Sequence, residues 1–190
     1  MVISEPAYLL LLGLLAIERM FELFVSWRHA RWAFAHGGIE VGRAHYRVMV
    51  LMHLLFLFSC VIESALNVHA ISPFVSAVAL VFTFLAQFLR YSAVVTLGQY
   101  WNTRIIVMPD TPPVTRGLYR WIRHPNYVAV AIEIVALPMV RGCWITAIVF
   151  TIANALILRV RIPAEESALG ASYSEAFSNV ARFFPNLRGS

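Results

Sequence analysis

The chain predicts an all-α, polytopic membrane bundle of about five transmembrane helices, with a polar C-terminal segment at its cytoplasmic end. Three observations carry that expectation. Of 190 residues, 60% are hydrophobic and 13% charged, where a soluble domain is nearer about a quarter charged. The apolar residues gather in five runs separated by polar connections. The arginines collect at one end of those runs, as the positive-inside tendency requires.

The first run covers Ala7 to Trp27 and lacks both a basic leader and a small-residue cleavage site, so a signal peptide is not expected. The second runs from Val48 to Leu66 and the third from Phe74 to Leu97, each close to the roughly 20 residues that cross a bilayer. A polar, proline-bearing segment follows from Gly98 to Pro125. Two shorter runs, Pro125 to Val140 and Ile145 to Leu158, flank a turn at Arg141-Gly142. At about 1.5 Å per residue they reach only some 21 to 24 Å, enough for a thinned or partly protein-filled stretch of membrane. The tail from Arg159 to Ser190 is polar and amphipathic, and no internal repeat or low-complexity tract is visible.

All fifteen basic residues are arginine, which reads as GC-rich, bacterial coding and an expected place in a bacterial cell membrane. Four follow the first run (Arg28, Arg31, Arg43, Arg47), four precede Pro125 (Arg104, Arg116, Arg120, Arg123) and four lie in the tail (Arg159, Arg161, Arg182, Arg188). Only Arg141 falls on the other side, so the N-terminus is expected outside and the loops and tail in the cytoplasm. The net charge of +5 is then a matter of topology, and no nucleic-acid partner is expected. Cys60 and Cys143 are too few for a disulfide framework. His29, His36, His45, His53 and His69 stand at no metal-ligand spacing, so no metal site is expected. Oligomeric state is not encoded in any of this.

Glu18, Arg19 and Glu22 share the first span, while Glu63, Arg90 and Glu133 lie in the second, third and fourth. Ionisable groups inside a membrane are costly and usually paired. The favoured reading is structural, with Arg90 pairing a first-span glutamate to pin the bundle. Glu133 sits two turns below Pro125 and is a candidate to border a pocket.

Two stretches carry chemistry. Gly117 to Tyr127, Gly-Leu-Tyr-Arg-Trp-Ile-Arg-His-Pro-Asn-Tyr, mixes Arg120, Arg123 and His124 with Tyr119, Trp121 and Tyr127. Pro125 suits a first helical position, and a helix start there offers free N–H groups to a carboxylate or phosphate. The second stretch is Arg159-Val-Arg-Ile-Pro-Ala-Glu-Glu166. Arg161 and Glu165 are four apart and share a face of a continuous helix. Pro163 argues instead for a break there, with Glu165 and Glu166 in the first turn of a new helix. Acids at a helix start and arginines flanking a membrane helix would also account for this stretch without any chemistry.

Together the two stretches resemble the isoprenylcysteine carboxyl methyltransferase family of integral membrane methyltransferases, as do Leu169-Gly170-Ala-Ser-Tyr173 and Arg182-Phe-Phe-Pro185. The resemblance covers the half from Leu97 onward. The family often has Gly where this chain has Ala129, and Tyr where it has Phe177. It implies one domain over residues 1–190, with three spans in 1–97 and a cofactor-binding and catalytic part in 98–190. It implies S-adenosylmethionine as methyl donor and S-adenosylhomocysteine as product. Leu118, Tyr119, His124, Pro125, Tyr127 and Glu166 would hold the cofactor, and Arg161 and Glu165 would be the catalytic pair. The helix start suits the carboxylate of such a cofactor, Glu166 its ammonium, and the tyrosines its adenosine and sulfonium. The acceptor would be a lipophilic molecule entering from the bilayer, with the hydroxyl of a long-chain polyketide such as an alkylpyrone favoured. Carboxyl methylation of isoprenylcysteine-type substrates is the first alternative. Membrane sterol reductases using NADPH carry a similar stretch and are the second.

Overall fold

The computed structural model describes residues 3–66, 70–109 and 111–184. His69, Pro185 and Arg188 lie outside the described residues. Five helices make up the bundle: α1 (Glu5–Ala35), α2 (Arg43–Leu66), α3 (Pro73–Leu97), α4 (Pro125–Met139) and α5 (Trp144–Ala176). Both α1 and α3 open on a serine cap with a proline in the first turn, Pro6 and Pro73. Ser4 accepts from the Ala7 N–H and Ser72 from the Val75 N–H. The hydroxyl satisfies an orphan donor, and proline's missing N–H costs nothing in a first turn.

Three helices, α2, α3 and α5, are long and apolar enough to cross a membrane. Helix α1 has the length but carries Glu18, Arg19 and Glu22. Helix α4 has 15 residues, about 22 Å, and ten of them are buried. Protein rather than lipid surrounds it, which is how so short a span is accommodated. The other helices turn large side chains outward, and Phe21, Phe58, Phe88 and Ile152 are all more than half exposed. Such a surface suits hydrocarbon and not water. The protein is a membrane-embedded helical bundle.

Its apolar core lies at the end where α1 and α5 begin and α4 finishes. Tyr8, Phe56, Leu137, Val140 and Phe150 meet there. The Tyr8 hydroxyl donates to the Leu137 carbonyl at 3.1 Å and the Ser76 hydroxyl to that of Val140 at 2.7 Å. Glu63 closes the same end. Its carboxylate accepts from the backbone N–H groups of Ile145 (3.0 Å) and Thr146 (2.7 Å) and from the Thr146 hydroxyl. An anion at a helix N-terminus meets the orphan donors and the positive dipole end together.

The other intramembrane charges join α1, α3 and α4. Arg90 hydrogen-bonds Glu133 and lies 3.6 Å from Glu22. Arg19 pairs with Glu22, reaches Glu133 at 3.5 Å and donates to Gln87 at 2.9 Å. Arg90 therefore reaches a first-span glutamate, as the sequence suggests, but its tighter partner is Glu133. Glu133 belongs to this ion cluster.

Two features depart from the sequence expectation. The loops after α1 and α3 each contribute a three-residue strand, β1 (Ile39–Val41) and β2 (Ile105–Val107), paired antiparallel with Ile39 opposite Val107. Strands this short have no periodicity to read. Helix α5, moreover, does not restart at Pro163; it passes through that residue and breaks only at Gly170, where φ is 76°. Pro163 removes one hydrogen bond, to the Arg159 carbonyl inside the helix, a loss that membrane helices tolerate, while Gly170 takes a left-handed conformation that a side chain would resist. Arg161 and Glu165 thus stand one turn apart on an unbroken helix.

Candidate active site

At the end opposite the apolar core, the stretch from Gly117 folds back onto α3. Gly117 has φ +59°, and a Cβ there would lie 2.7 Å from the Thr96 hydroxyl oxygen, so only glycine allows this approach. A single 3₁₀ turn, Gly117–Arg120, then drops Tyr119 among Ala93, Tyr173 and Phe177. Burial, and after it the Glu165 carboxylate, push the Tyr119 phenol above its ordinary pKa, so it stays a neutral ring with a hydroxyl to donate.

The tail returns to run beside this stretch. Ile122 pairs with Ala181 in parallel, and the N–H groups of Arg123 and His124 donate to the carbonyls of Ala181 (2.9 Å) and Arg182 (3.2 Å). The N–H groups of Tyr127 and Val128 both turn back to the His124 carbonyl. The expected row of free N–H groups at the start of α4 is therefore absent. Tail and cap have taken them, and Asn126 alone in the first turn has an N–H without a backbone acceptor among the described residues.

Glu166, expected to meet a cofactor ammonium, is instead the anchor of this tail. The His124 ring donates through Nε2 to its Oε1 at 3.0 Å. Arg182 donates to both oxygens at 3.1 and 2.6 Å, and Arg123 stands 3.8 Å away. Glu166 lies beyond the apolar part of α5, which ends at Leu158. Burial works against its charge, but the Arg182 and His124 hydrogen bonds outweigh it and hold the carboxyl below the ordinary carboxylate value.

One turn earlier the second constellation forms. Arg161, 3% exposed, donates from Nε to the Tyr127 hydroxyl at 2.9 Å and from Nη2 to the Thr103 carbonyl at 2.6 Å. The Tyr127 hydroxyl in turn donates to Glu165. The remaining guanidinium nitrogen, Nη1, is buried with no hydrogen-bond partner among the described residues, as is the Asn126 side-chain oxygen. Arg161 and Glu165 are thus linked through Tyr127 rather than by a direct contact. His124 stacks on Tyr127 with ring centroids 5.3 Å apart.

A cavity brings these groups together. Tyr119, His124, Asn126, Tyr127, Arg161 and Glu165 line one end of it. Met49, His53, Leu54 and Leu57 of α2 line its flank, and Arg19, Glu22 and Arg90 its depth. Of the sequence-predicted residues, Leu118, Pro125 and Glu166 do not line it. Pro125 is fully buried as the first residue of α4, and Leu118 sits in the 3₁₀ turn supplying the carbonyl that the Trp121 and Ile122 N–H groups bond.

The structure adds residues that motif reading passed over. Ser26 of α1 holds Asn102 and Thr103: its hydroxyl lies 2.8 Å from Asn102 Oδ1 and accepts from the Thr103 N–H at 3.1 Å. This fixes the carbonyl that Arg161 grips. The available signal was the polar run Asn102-Thr103-Arg104 immediately after Trp101, at the end of an otherwise apolar span. The near end of the cavity offers the kinds of group that a methyl donor of the S-adenosylmethionine type would need. The aromatic faces of Tyr119 and Tyr127 suit adenosine and sulfonium, and the orphaned Asn126 oxygen suits an N–H or O–H donor.

Comparison with known proteins agrees with this geometry. The model of the "Isoprenylcysteine carboxyl methyltransferase (ICMT) family" matches residues 77–171, from α3 through both constellations. The Uncharacterized protein YpbQ of Bacillus subtilis is 37% identical over 161 residues, covering 84% of this chain and 95% of that protein. Protein-S-isoprenylcysteine O-methyltransferase of Schizosaccharomyces pombe is 29% identical over 110 residues, 57% of this chain and 47% of that one. Protein-S-isoprenylcysteine O-methyltransferase B of Arabidopsis thaliana is 24% identical over 186 residues, 92% of this chain and 93% of that one. A buried arginine, tyrosine and glutamate chain at the mouth of a membrane bundle is thus set within the matched region, and the protein belongs to the isoprenylcysteine carboxyl methyltransferase family of membrane methyltransferases.

Proposed function

We propose that this membrane methyltransferase uses S-adenosylmethionine to methylate an oxygen of a lipophilic, membrane-resident acceptor, the favoured one being the hydroxyl of a long-chain polyketide such as an alkylpyrone. The observation that carries this reading is the buried, unpartnered Nη1 of Arg161, beside the Tyr127–Glu165 hydrogen bond in a cavity with an apolar flank. A guanidinium N–H buried without a partner is costly, and an acceptor oxygen would satisfy it.

Tyr119, His124, Asn126 and Tyr127 would hold the cofactor, which when bound supplies a methyl group on a positively charged sulfur. Arg161 donates from Nη1 to the acceptor oxygen and stabilises negative charge on it. Its other two contacts, to Tyr127 and Thr103, fix the guanidinium in plane. Glu165 takes the acceptor's proton through the Tyr127 hydroxyl, which passes one proton on as it receives another. Burial of the site excludes water, a competing acceptor. The arginine excess at this end supports a cytoplasmic site, with the cofactor arriving from that side and the acceptor from the bilayer.

A carboxylate acceptor is the second reading, favoured by the names of the fission yeast and plant relatives. It would use Arg161 in the same way and need no proton removal. Membranes containing the protein, given methyl-labelled S-adenosylmethionine and long-chain hydroxypyrones or prenylcysteines, decide the matter. A base-stable methyl ether supports the hydroxyl reading, and a base-labile ester the carboxyl one. Failure to transfer label to either, with retention of NADPH in its place, would overturn both in favour of a reductase.

A further inference from the structure

The cavity that holds the reacting groups has a second polar pole that the methyl transfer does not use. At its depth stand Glu22, Arg90 and Arg19, and two of their buried atoms, Glu22 Oε1 and Arg90 Nε, have no hydrogen-bond partner among the described residues. Glu22 is 8% exposed and Arg90 6% exposed. Each is thus more than nine-tenths buried, lines the cavity, and keeps one unused acceptor or donor. The ion pairs that pin the helices use the other atoms: Glu22 Oε2 for Arg19 and Arg90, and the Arg90 Nη atoms for Glu22 and Glu133.

Helix geometry places Glu22 and Arg90 one to two turns deeper along α1 and α3 than the residues beside Arg161. Ser26 packs on Thr103, the residue whose carbonyl Arg161 grips, and Glu22 lies four residues back along α1, about 6 Å. Arg90 lies seven residues before Leu97, which lines the near part of the cavity, about 10 Å. Leu23, Val50, Leu54 and Val130 also line the cavity, together with the polar His53 and Asn154. We propose that the Glu22–Arg90 pole is an acceptor subsite: it hydrogen-bonds a second oxygen of the methylated molecule, set deeper in the cavity than the oxygen that receives the methyl group. The substrate class is then a lipid with a polyoxygenated headgroup. A simple fatty alcohol, or a headgroup with one oxygen function, would press hydrocarbon against an unpaired carboxylate oxygen and guanidinium N–H. Sites built to hydrogen-bond a substrate group discriminate strongly against analogues lacking it.

This inference rests on the methyl transfer proposed above, and one experiment separates the two. Detergent-solubilised protein is given S-adenosylmethionine and either a long-chain dihydroxy aromatic or a monohydroxy aromatic of equal chain length. The expected result is a kcat/KM at least tenfold higher for the two-oxygen acceptor. In Glu22→Gln that preference shrinks to within about twofold, through a raised KM for the two-oxygen acceptor alone, while binding of S-adenosylhomocysteine by calorimetry is unchanged. Equal use of both acceptors by the unaltered protein would overturn the subsite and leave the methyltransferase standing, and this holds even if Glu22→Gln does not fold. Equal loss on both acceptors in Glu22→Gln would also overturn it, marking Glu22 as structural. Absence of both methyl transfer and S-adenosylhomocysteine binding in the unaltered protein would overturn the two proposals together.

Discussion

Glu63 and Glu165 are both half- to fully buried glutamates on membrane helices, one at each end of the bundle, and their surroundings differ in kind. Glu63 is saturated: two backbone N–H groups and a hydroxyl converge on its carboxylate and seal the start of α5. Glu165 receives the single Tyr127 hydroxyl and faces a cavity. The arginines near Glu165 repeat the contrast within themselves, since Arg161 has three nitrogens and spends only two. A buried charge with every valence filled holds a fold together, whereas one left partly unfilled beside a cavity is available to a ligand.

The sharpest way to break that distinction is Arg161→Ala. It removes the donor aimed at the acceptor oxygen, and methyl transfer should fall about 10³-fold, as when a single oxyanion donor is lost, far more than the ~1–3 kcal/mol of stability lost by leaving the Thr103 carbonyl unpaired would explain in a variant that still folds. A variant that unfolds instead would place Arg161 with Glu63 as scaffold. Next comes Glu165→Gln, which keeps the shape but cannot take a proton. Turnover on a hydroxyl acceptor should drop about 10²-fold, and turnover on a carboxylate acceptor should barely change, so the pair of rates also separates the two acceptor readings.

Glu63→Gln should behave in the opposite way. One carboxamide oxygen cannot accept from three donors, and at least one buried N–H is left unpaired at a cost of about 1–3 kcal/mol. The thermal midpoint falls while kcat and KM stay put. Lowered activity in the folded variant would show that the two ends are coupled.

How much of this was written in the sequence follows the same division. The five helices were legible because their apolar runs are local signals, and the run from Phe74 to Leu97 differs from α3 by a single residue at its start. The constellations were legible because their residues are close in sequence. What escaped were contacts between distant segments. The grip of Ser26 on Thr103, the pairing of Ile39 with Val107 and the return of Ala181 onto Ile122 have no periodicity to betray them. The fate of Pro163 escaped for a different reason: a proline's local cost is small enough for packing to override. That Glu166 would also hold His124 and Arg182 was hidden, because Arg182 comes back to it only after the chain has turned.

That return yields the gentlest test. Glu166 is part-buried and Arg182 half-exposed, so their ion pair, screened by solvent, adds only about 0.2–1 kcal/mol. Glu166→Gln should weaken S-adenosylhomocysteine binding by about two- to fivefold, because the tail against His124 and Arg123 loosens while Arg161, Tyr127 and Glu165 stay in place. The pH dependence has a definite sign. With its folded pKa depressed by Arg182 and His124 against the opposing effect of burial, Glu166 contributes fully above the ordinary carboxylate value. That contribution persists as pH falls through the ordinary value and disappears only as pH falls through the depressed one. The protection factors of the amides of residues 177–184, followed as the solution is acidified, should therefore fall only at a lower pH in the unaltered protein than a free carboxylate would predict. In Glu166→Gln they should already be lower at neutral pH, by about the two- to fivefold that such an ion pair is worth. Protection that is indifferent to both acid and the substitution would mean that the backbone pairing of Ala181 and Arg182 holds the tail alone, and Glu166 would then be free to meet a ligand after all.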